Sequence, residues 1–594
     1  MDSVFSTGLG PILVLGIGAL VFYALDTFLE PQDRGTAEIM VLVLALGFLF
    51  NARTQIGIPL SFGQPMADLG WPGLVPYLVV ERETWLLSLL VLGLAITTSF
   101  SSLARPTRGR SARLALLGAV LLYLAAGDWV TLAFAWGLVD VGLLCVVNTG
   151  LATADSPRRH QLGWTAALGL LAPMLVVAGL AVWQTSGASA WVNRAGALPI
   201  AGLSPRRPAP RAATLLAIAG LLRLMPPPLP SWQSAIEQDQ EGETHPTSSF
   251  LLTLIPALLG AYYWARLAGW GALAVARWTS WLPLWGGLLL LIAAARAWAA
   301  RDPANLAARL QAHAGAVVLL ISGAGGSASW PLLVGASAVL GTSTIYLAWK
   351  QCQHLDLFGT RTYWRVVPMA VGLLSLAGLP LTAGFPARIA LYWSAFTAEH
   401  WLALLALIAG EALYLSAALR LLLELESVPG PESHDPDGSA AGDEAAPAPA
   451  AGWWRRVATW ARWVAGQDMV RYSAAATLAL ASVALGLAPR ALSGDGLGTW
   501  WRLPTLPMWA ALLLPVIGSI VLYRSRDQIL RVTGTWWPWV ERHLSLDALY
   551  RGAGRLTQSL GTLVWGGTLL VEGAGYMAWV VLVCLLVILF IISR

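Results

Sequence analysis

Long apolar runs separated by short polar connections dominate this chain. A helix that spans a membrane needs about 20 mostly apolar residues, and by that rule the sequence predicts roughly sixteen spans. They lie near residues 9–29, 37–60, 84–104, 113–128, 129–150, 162–184, 211–227, 248–271, 279–299, 306–325, 330–349, 364–398, 399–424, 470–489, 507–523 and 574–592. The first run is too long for a signal peptide and lacks a small-residue cleavage site, so we expect a spanning helix there.

Proline interrupts two of these runs. The span 364–398 contains Pro380, Gly384 and Pro386, and the seventh span is followed by Met225-Pro-Pro-Pro-Leu-Pro230. Proline lacks a backbone donor and clashes with the preceding turn. We therefore expect both helices to be broken, with unsatisfied backbone groups at the breaks.

Composition supports the same class of protein. The chain is 57% hydrophobic and 12% charged, with a mean hydropathy of +0.65, whereas soluble proteins carry about 25% charged residues. The 31 tryptophans also suit a membrane protein, because indole rings favour the headgroup region. The predicted fold class is an all-α polytopic membrane protein that uses the lipid bilayer as its solvent.

Charge and cysteine content restrict the partners and cofactors. The net charge of +5 comes almost entirely from arginines in short loops, with Lys350 the sole lysine, so we expect no nucleic-acid partner. Cys145, Cys352 and Cys584 lie too far apart in sequence for a zinc or iron–sulfur motif. With no dinucleotide-binding or phosphate-binding loop either, we expect no metal and no redox cofactor on this chain.

Basic residues in the loops predict the orientation. Short cytoplasmic loops collect arginine and lysine, and five such loops fall on the same side of the membrane: Arg105, Arg108, Arg110 and Arg113; Arg158, Arg159 and His160; Arg301 and Arg309; Lys350, Arg361 and Arg365; Arg524 and Arg526. We place them in the cytoplasm of a bacterial-type inner membrane, with both termini outside. The loop around Arg194, Arg206 and Arg207 departs from this pattern.

Two segments are not predicted spans. Residues 425–452 are acidic and rich in Pro, Gly and Ala, which is typical of a disordered linker. Tryptophan and arginine alternate at helical spacing in 453–463, which favours a helix in the headgroup plane, and 541–571 is similar. The predicted organisation is N-terminal spans (1–84), a helical core (85–424), a linker with its interfacial helix (425–469) and C-terminal spans (470–594). No repeat is apparent in the sequence.

Five ionisable residues fall within predicted spans. Such a group costs several kcal/mol at membrane depth unless it is paired or hydrated, so each is a candidate for an ion path. The candidates are Asp140, Arg223, His313, Arg388 and Glu411. Each also has a structural interpretation: the acids could pair with a neighbouring helix, His313 could be a hydrogen-bonded interior residue, and Arg388 could extend to the interface.

Several motifs resemble one family of membrane proteins. Arg223-Leu-Met-Pro-Pro-Pro-Leu-Pro-Ser-Trp232, Glu241-Gly-Glu-Thr-His-Pro-Thr-Ser248 and Gly260-Ala-Tyr-Tyr-Trp-Ala-Arg266 occur in the order and spacing of the antiporter-like proton-translocating subunits. Leu376-Ala-Gly-Leu-Pro-Leu-Thr-Ala-Gly-Phe-Pro-Ala-Arg388 is similar to the motif on their broken twelfth helix. These subunits occur in respiratory complex I, Mrp-type cation/proton antiporters and membrane-bound hydrogenases. The resemblance implies an antiporter-like bundle whose partners are other membrane subunits.

The chain departs from the family at the positions that matter for proton transfer. The family's glutamate aligns with Gly137, and Asp140 lies one helical turn further on. Two key lysines align with Arg223 and Arg388, and two further basic positions align with Leu252 and Thr342. A buried lysine can lose its proton near neutral pH, whereas arginine cannot. The two arginines are therefore expected to act as fixed positive charges.

Two functions stay open from the sequence. The first is a proton- or sodium-translocating subunit of a complex I-like or related redox-driven complex, with Asp140, His313 and Glu411 carrying the ion. The second is a degenerate, non-conducting paralogue that holds neighbouring subunits of a membrane arm together. A stand-alone transporter of organic solutes is less favoured, and whether the chain serves an oxidoreductase such as NADH:quinone oxidoreductase is left open.

Overall fold

A computed structural model describes most of the chain up to residue 533. The described ranges are residues 9–25, 31–53, 60–62, 77–101, 109–150, 156–185, 209–224, 246–300, 313–324, 329–352, 363–423, 468–489 and 506–533. The chain divides into two units, residues 1–531 and 532–594, and all contacts reported below lie in the first. The predicted boundaries at 84, 424 and 469 are not tested by this division and stay predictions.

The N-terminal half contains eight long helices and a small hairpin. The helices are α1 (Gly10–Leu25), α2 (Pro31–Asn51), α3 (Arg82–Ser101), α4 (Arg110–Ala125), α5 (Trp129–Gly150), α6 (Ser156–Thr185), α7 (Pro210–Leu224) and α8 (Pro246–Gly269). Strands β1 (Leu60–Phe62) and β2 (Leu78–Val80) pair antiparallel, with Leu60 opposite Val80. The hairpin was not predicted, because three-residue strands leave too short an alternating pattern to detect.

The C-terminal half begins with a short helix, α9 (Ala272–Val275), and a 3-10 turn (Arg277–Trp281). Eight long helices follow within the described residues: α10 (Leu282–Ala299), α11 (His313–Ala324), α12 (Trp330–Cys352), α13 (Tyr363–Leu376), α14 (Gly384–Thr397), α15 (Trp401–Leu423), α16 (Asp468–Leu487) and α17 (Leu506–Thr533). The predicted all-α polytopic fold is confirmed. The predicted last span, 574–592, lies outside the described residues, as do the interfacial segments.

Six of the described helices are long and apolar enough by themselves to cross a membrane: Arg34–Asn51, Arg82–Phe100, Trp129–Val146, Trp278–Ala299, Trp330–Trp349 and Trp401–Leu423. Shorter apolar helices pack among them. The helix α12 is almost completely buried and contacts α8, α11, α13, α14 and α16, so it joins the two halves of the bundle.

The predicted break in the twelfth span is confirmed. Helix α13 ends at Leu376 and α14 begins at Gly384, and between them Gly378 and Leu381 adopt positive φ angles of 68° and 73°. A Cβ atom at Gly384 would lie 1.6 Å from the carbonyl oxygen of Ser375, so only glycine fits at the restart. The break therefore has a defined backbone path.

Helix α16 packs directly against this break. The Ser482 hydroxyl donates to the hydroxyl oxygen of Ser375 at 3.0 Å, and a Cβ atom at Gly486 would lie 2.4 Å from the carbonyl carbon of Thr382. Small residues on α16 allow this close approach. The break is thus enclosed by protein, as irregular backbone at membrane depth must be.

A buried ion-pair network joins α2 and α4. The carboxylate of Glu38 lies 2.9 Å from Arg110 and 3.0 Å from Arg113, and all three side chains are buried. The sequence predicts Arg110 and Arg113 in the basic loop between the third and fourth spans, whereas the structure places them within a helix. Both lie in the first turns of α4, where Glu38 compensates their charge.

Candidate functional site: two buried acid–arginine pairs

The first pair joins α5 to α7. Arg223 donates a hydrogen bond of 2.5 Å from Nη1 to Oδ1 of Asp140, and both residues are at most 3% exposed. Burying two charges is tolerated when they pair in good geometry, and removing either partner leaves the other uncompensated. The acid and the base that the sequence placed in separate spans thus form one site.

Aromatic rings surround the Arg223 guanidinium. Its carbon lies 5.0 Å from the ring centroid of Trp136 and 5.7 Å from that of Tyr123, and both rings are fully buried. Such contacts stabilise a cation by about 0.5–2 kcal/mol. Trp136 precedes Asp140 by one helical turn, so α5 presents an aromatic face and an acid to the same guanidinium. This cage fixes the arginine while leaving part of its hydrogen-bonding capacity unused.

Several polar atoms of this pair have no partner among the described residues: Nε and Nη2 of Arg223 and Oδ2 of Asp140. Helix α6 passes the carboxylate at Gly169, where a Cβ atom would lie 3.3 Å from Cγ of Asp140. A glycine at this position lets the backbone of α6 approach the buried carboxylate closely. Unused donors and an unused acceptor in one place are suited to hydrogen-bonding with water.

The sequence explains why Arg223 lies where it does. Helix α7 ends at Leu224, and prolines 226–228 follow immediately, so the last carbonyl groups of α7 lack intrahelical partners. A cation near a helix C-terminus is favoured by the helix dipole. The carbonyl oxygen of Leu224 faces α11, because a Cβ atom at Gly315 would lie 3.4 Å from it.

The second pair lies beside the break between α13 and α14. Arg388 on α14 forms an ion pair with Glu411 on α15, and both side chains are buried. Nη2 of Arg388 also donates to the carbonyl oxygen of Leu376, the last residue of α13, at 2.5 Å. The guanidinium therefore compensates both a carboxylate and a backbone carbonyl that the helix break exposes.

Tyrosines flank the second pair. Tyr392 lies one turn after Arg388 on α14, Tyr414 lies one turn after Glu411 on α15, and both are buried. Each pair is thus surrounded by aromatic side chains: a tryptophan and a tyrosine at the first, two tyrosines at the second. The environments are similar although the sequences around the pairs differ.

The structure joins four of the five predicted site residues into two pairs. It describes the backbone of His313, which begins α11 two residues before Gly315, but its side chain lies outside the described part. The buried cations Arg266 and Arg420 were missed as candidates. Their position in the last turns of apolar helices α8 and α15 was the available signal. Within the described ranges no group of three or more His, Cys, Asp or Glu side chains is arranged to hold a metal ion.

One curated relative shares sequence with this chain over most of its length. NADH-quinone oxidoreductase subunit N 1 of Sorangium cellulosum is 27% identical over 469 residues, covering 71% of this chain and 89% of the relative. No family model matches the sequence.

Solved structures share the fold at lower identity. A chain of the Mrp complex from Dietzia has a TM-score of 0.67 at 15% identity, covering 98% of this chain and 63% of that one. A chain of the archaeal membrane-bound sulfane sulfur reductase has a TM-score of 0.64 at 14% identity. The match covers 98% of this chain and 99% of that one. A chain from respiratory complex I of Thermus thermophilus has a TM-score of 0.59 at 19% identity. The match covers 86% of this chain and 99% of that one. The chain is thus similar in sequence to a complex I subunit, and it shares the fold of membrane subunits of the Mrp, sulfane sulfur reductase and complex I assemblies.

The structure gives a physical context for the positions at which the sequence departs from the family pattern that it resembles. Gly137, aligned with the family's glutamate, has no atom within 4 Å of where its Cβ would lie. Asp140 instead contacts the basic residue of α7. An acid–base contact between α5 and α7 is therefore made by Asp140 and Arg223, with the acid one helical turn beyond the position that the sequence resemblance predicts.

Proposed function

We propose that this chain translocates protons as a membrane subunit of a multi-subunit, redox-driven complex in a bacterial-type inner membrane. Multi-pass membrane architecture and similarity to a complex I subunit support the general class. The observation that carries the proposal is the presence of two buried acid–arginine pairs, one in each half of the bundle. The proposed topology places both termini outside.

The two carboxylates are the proton carriers in this proposal. Arginine stays protonated under all physiological conditions, so Arg223 and Arg388 hold fixed positive charge. When Asp140 or Glu411 takes up a proton, its ion pair is lost and the arginine is left uncompensated. That uncompensated charge favours release of the proton again. Each pair therefore takes up a proton reversibly without a lysine that deprotonates.

The geometry favours protons over sodium. A bound metal cation requires several oxygen ligands, as the coordination of hard cations shows. In both pairs a guanidinium occupies the position beside the carboxylate that such a cation would take. His313, whose unperturbed pKa lies near 6.5, is proposed to connect the two halves, because α11 begins beside the end of α7.

The chain with its co-purifying subunits, reconstituted into liposomes, tests the proposal. Under an imposed membrane potential, proton uptake is expected for the native complex and its loss for Asp140→Asn and for Glu411→Gln. Replacing sodium with choline in the buffer should leave the proton flux unchanged. A flux that depends on the sodium concentration would mean that the transported ion is sodium. A proton flux equal to that of the native complex in both variants would show that neither acid carries the proton.

A second function is favoured by one specific observation. Both arginines stand where the family has lysines, and Arg388 is held by Glu411 and by Leu376 at once. Such a fully engaged cation also suits a non-conducting paralogue that holds its neighbours together. In that case the native complex shows no potential-driven flux, and deletion of the chain dissociates the subunits that co-purify with it.

A further inference from the structure

One edge of the Arg223 guanidinium has no acceptor. Nη1 is bonded to Asp140, whereas Nε and Nη2 have no hydrogen-bond partner among the described residues. In a guanidinium these two nitrogens carry nearly parallel N–H bonds along one edge, which is the arrangement that binds an anion through two donors. Arg223 is 3% exposed, so bulk water does not cover this edge. The first pair therefore contains a buried two-donor site in addition to its ion pair.

A third donor lies in the same place. Nε1 of Trp136 has no hydrogen-bond partner in the described part of the chain, and the ring is fully buried. The ring centroid lies 5.0 Å from the guanidinium carbon of Arg223, and the indole is close enough to act on the Asp140 carboxylate. An indole nitrogen donates and cannot accept. Three unused donors thus stand against one unused acceptor, Oδ2 of Asp140.

Protonation of Asp140 removes the carboxylate that balances this arginine. Within the described ranges Arg223 forms an ion pair with Asp140 alone. A lysine here would release its own proton in response, whereas arginine keeps its proton. The protonated site therefore contains a full positive charge among aromatic rings, and the cost of such a buried charge far exceeds what cation–ring contacts return.

The end of α7 does not supply the missing negative charge. A helix C-terminus carries about half an elementary charge, spread over its last carbonyl groups. The carbonyl oxygen of Leu224, the last residue of α7, faces Gly315 of α11. In the described part of the chain Arg223 donates to no backbone carbonyl. Part of the guanidinium charge is thus left without compensation when the acid is neutral.

The second pair differs in this respect. Arg388 pairs with Glu411 and also donates from Nη2 to the carbonyl oxygen of Leu376. A backbone acceptor therefore stays on Arg388 when Glu411 is protonated. No nitrogen of Arg388 is among the buried atoms that lack a partner in the described ranges. The need for a further acceptor is specific to the first pair.

We propose that the Nε–Nη2 edge of Arg223 binds a small monovalent anion such as chloride when Asp140 takes up a proton. The charges balance, because a carboxylate with a guanidinium and a carboxyl group with a guanidinium and chloride both have zero net charge. Proton and anion therefore raise each other's affinity. When Asp140 releases its proton, the carboxylate again pairs with Arg223 and the anion leaves. The role of the anion in translocation rests on the proposed function, whereas the binding site itself does not.

The surroundings select a small ion with one charge. Aromatic rings lie on one side of the pair, and the backbone of α6 approaches Asp140 at Gly169. A bulky organic anion such as gluconate does not fit between them. A divalent anion such as sulfate would leave a net negative charge in a buried site, which is as unfavourable as the positive charge that it replaces.

Asp140 is the group that makes the site respond to protons. The charged group that faces it among the described residues is Arg223. The ionisable residues on the neighbouring helices are Tyr123 on α4, Tyr262, Tyr263 and Arg266 on α8, and His313 at the start of α11. Tyrosine is neutral and arginine is charged throughout the physiological pH range. Uptake of a proton at the pair is therefore assigned to the carboxylate.

A melting experiment tests the binding site without any flux. Asp140→Asn holds the acid position neutral, as protonation does. Replacing gluconate with chloride at constant ionic strength keeps charge screening the same. The melting temperature of the purified Asp140→Asn complex should rise by about 2 °C or more between about 1 and about 100 mM chloride. Bromide and nitrate should act like chloride, and Asp140→Asn/Arg223→Gln, which lacks the donor edge, should show no rise.

Two comparisons make this result specific. Asp140→Asn/Arg531→Gln is the matched control, because Arg531 is exposed and donates to a carbonyl oxygen of its own helix. Its response to chloride should equal that of Asp140→Asn. Glu411→Gln leaves Arg388 bonded to Leu376 and should respond less. An equal response of Glu411→Gln would overturn the assignment to the free edge of Arg223.

A second measurement covers the case in which Asp140→Asn assembles poorly. In liposomes with an imposed potential, the proton flux of the native complex should rise about fivefold or more when chloride replaces gluconate on both sides. Arg223→Lys should make the flux independent of chloride, because a buried lysine can lose its own proton when the acid is protonated.

The outcomes separate this inference from the proposed function. If the native complex carries protons equally in both salts and Asp140→Asn gains nothing from chloride, the anion site is wrong and the proposed function stands. A melting shift that survives in Asp140→Asn/Arg223→Gln would place the anion elsewhere and also overturn the inference. If the native complex carries no protons in either salt, the proposed function fails, and the melting shift by itself decides whether Arg223 binds an anion.

Discussion

Arg388 donates a hydrogen bond of 2.5 Å to the carbonyl oxygen of Leu376, twelve residues earlier and on the other side of the helix break. The same guanidinium pairs with Glu411. A planar fork of five N–H donors can serve two acceptors in different directions. The side chain therefore holds α13, α14 and α15 together at the point where backbone hydrogen bonding is interrupted.

Replacing this arginine with lysine is expected to separate its structural role from its electrostatic one. Arg388→Lys keeps the positive charge but offers a compact ammonium in place of a fork, so one of the two contacts is lost. We expect the free energy of unfolding to fall by about 1.5–3 kcal/mol. A buried lysine can also deprotonate, so the pH dependence of the proton flux should differ from that of the native chain.

Thermal unfolding in detergent and flux measured at several pH values check this prediction. Arg531→Lys on the exposed end of α17 is the control for an arginine-to-lysine change without a buried partner. An unchanged melting temperature for Arg388→Lys would mean that the bond to Leu376 contributes nothing to stability.

Removing one partner of the first pair should cost much more than removing both charges. Asp140→Asn leaves Arg223 buried and uncompensated, with an expected loss of about 3–5 kcal/mol. Asp140→Asn/Arg223→Gln leaves a neutral, hydrogen-bonding pair of similar size and should recover most of that loss. Proton flux should be absent from both variants, because neither has a carboxylate at this position. Thermal unfolding of the four members of this double-mutant cycle measures the coupling, and additive effects would contradict it.

Gly169 should control access to the Asp140 carboxylate. A methyl group at this position would lie 3.3 Å from Cγ of Asp140, so Gly169→Ala presses on the acid. Overpacking of this kind costs about 1–3 kcal/mol, and we expect the proton flux to fall while the subunit still assembles. Gly93→Ala is the matched control, since nothing lies within 4 Å of its Cβ position. Equal flux in the two variants would show that the α6 side of Asp140 is not the access side.

The stability of the N-terminal half of the bundle should depend on pH through Glu81. Burial raises the pKa of Glu81 above its usual 4.5, with a further rise from Glu83 and an opposing effect of Arg266. A carboxyl group whose pKa is higher in the folded state than in the unfolded state binds its proton more tightly when the chain is folded. Its contribution to the free energy of unfolding is fully present below the unfolded pKa and is lost as the pH rises through the folded pKa. Glu81→Gln should therefore gain stability relative to the native chain as the pH rises above about 4.5.

Melting temperatures of both proteins, measured from about pH 4, near the ordinary pKa of glutamate, to about pH 8, well above it, check this difference. The exposed Glu399 provides the control, because Glu399→Gln makes the same chemical change at a surface position. A constant difference between Glu81→Gln and the native chain across the range would mean that Glu81 does not titrate as its burial requires.

Local patterns in the sequence determined the helices, the break and the identity of the ionisable candidates. Apolar runs of spanning length specify helices wherever lipid is the solvent, and Pro380 with Gly384 specifies where the twelfth span must stop and restart. All five candidate residues could be selected because an ionisable group in such a run is costly alone. These are properties of residues close together in the chain.

Only the tertiary structure decided which charges meet. Asp140 and Arg223 are 83 residues apart, and Glu38 and Arg110 are 72 apart, so no local pattern links them. The sequence predicts Arg110 and Arg113 as loop residues, whereas in the structure both pair with Glu38. A charged residue near a predicted helix end has the same sequence pattern whether its side chain faces water or a buried carboxylate. Pairing depends on the relative rotation and packing of helices. That arrangement is determined by contacts between segments that are distant in the chain. It therefore cannot be derived from the hydrophobic pattern of a single segment.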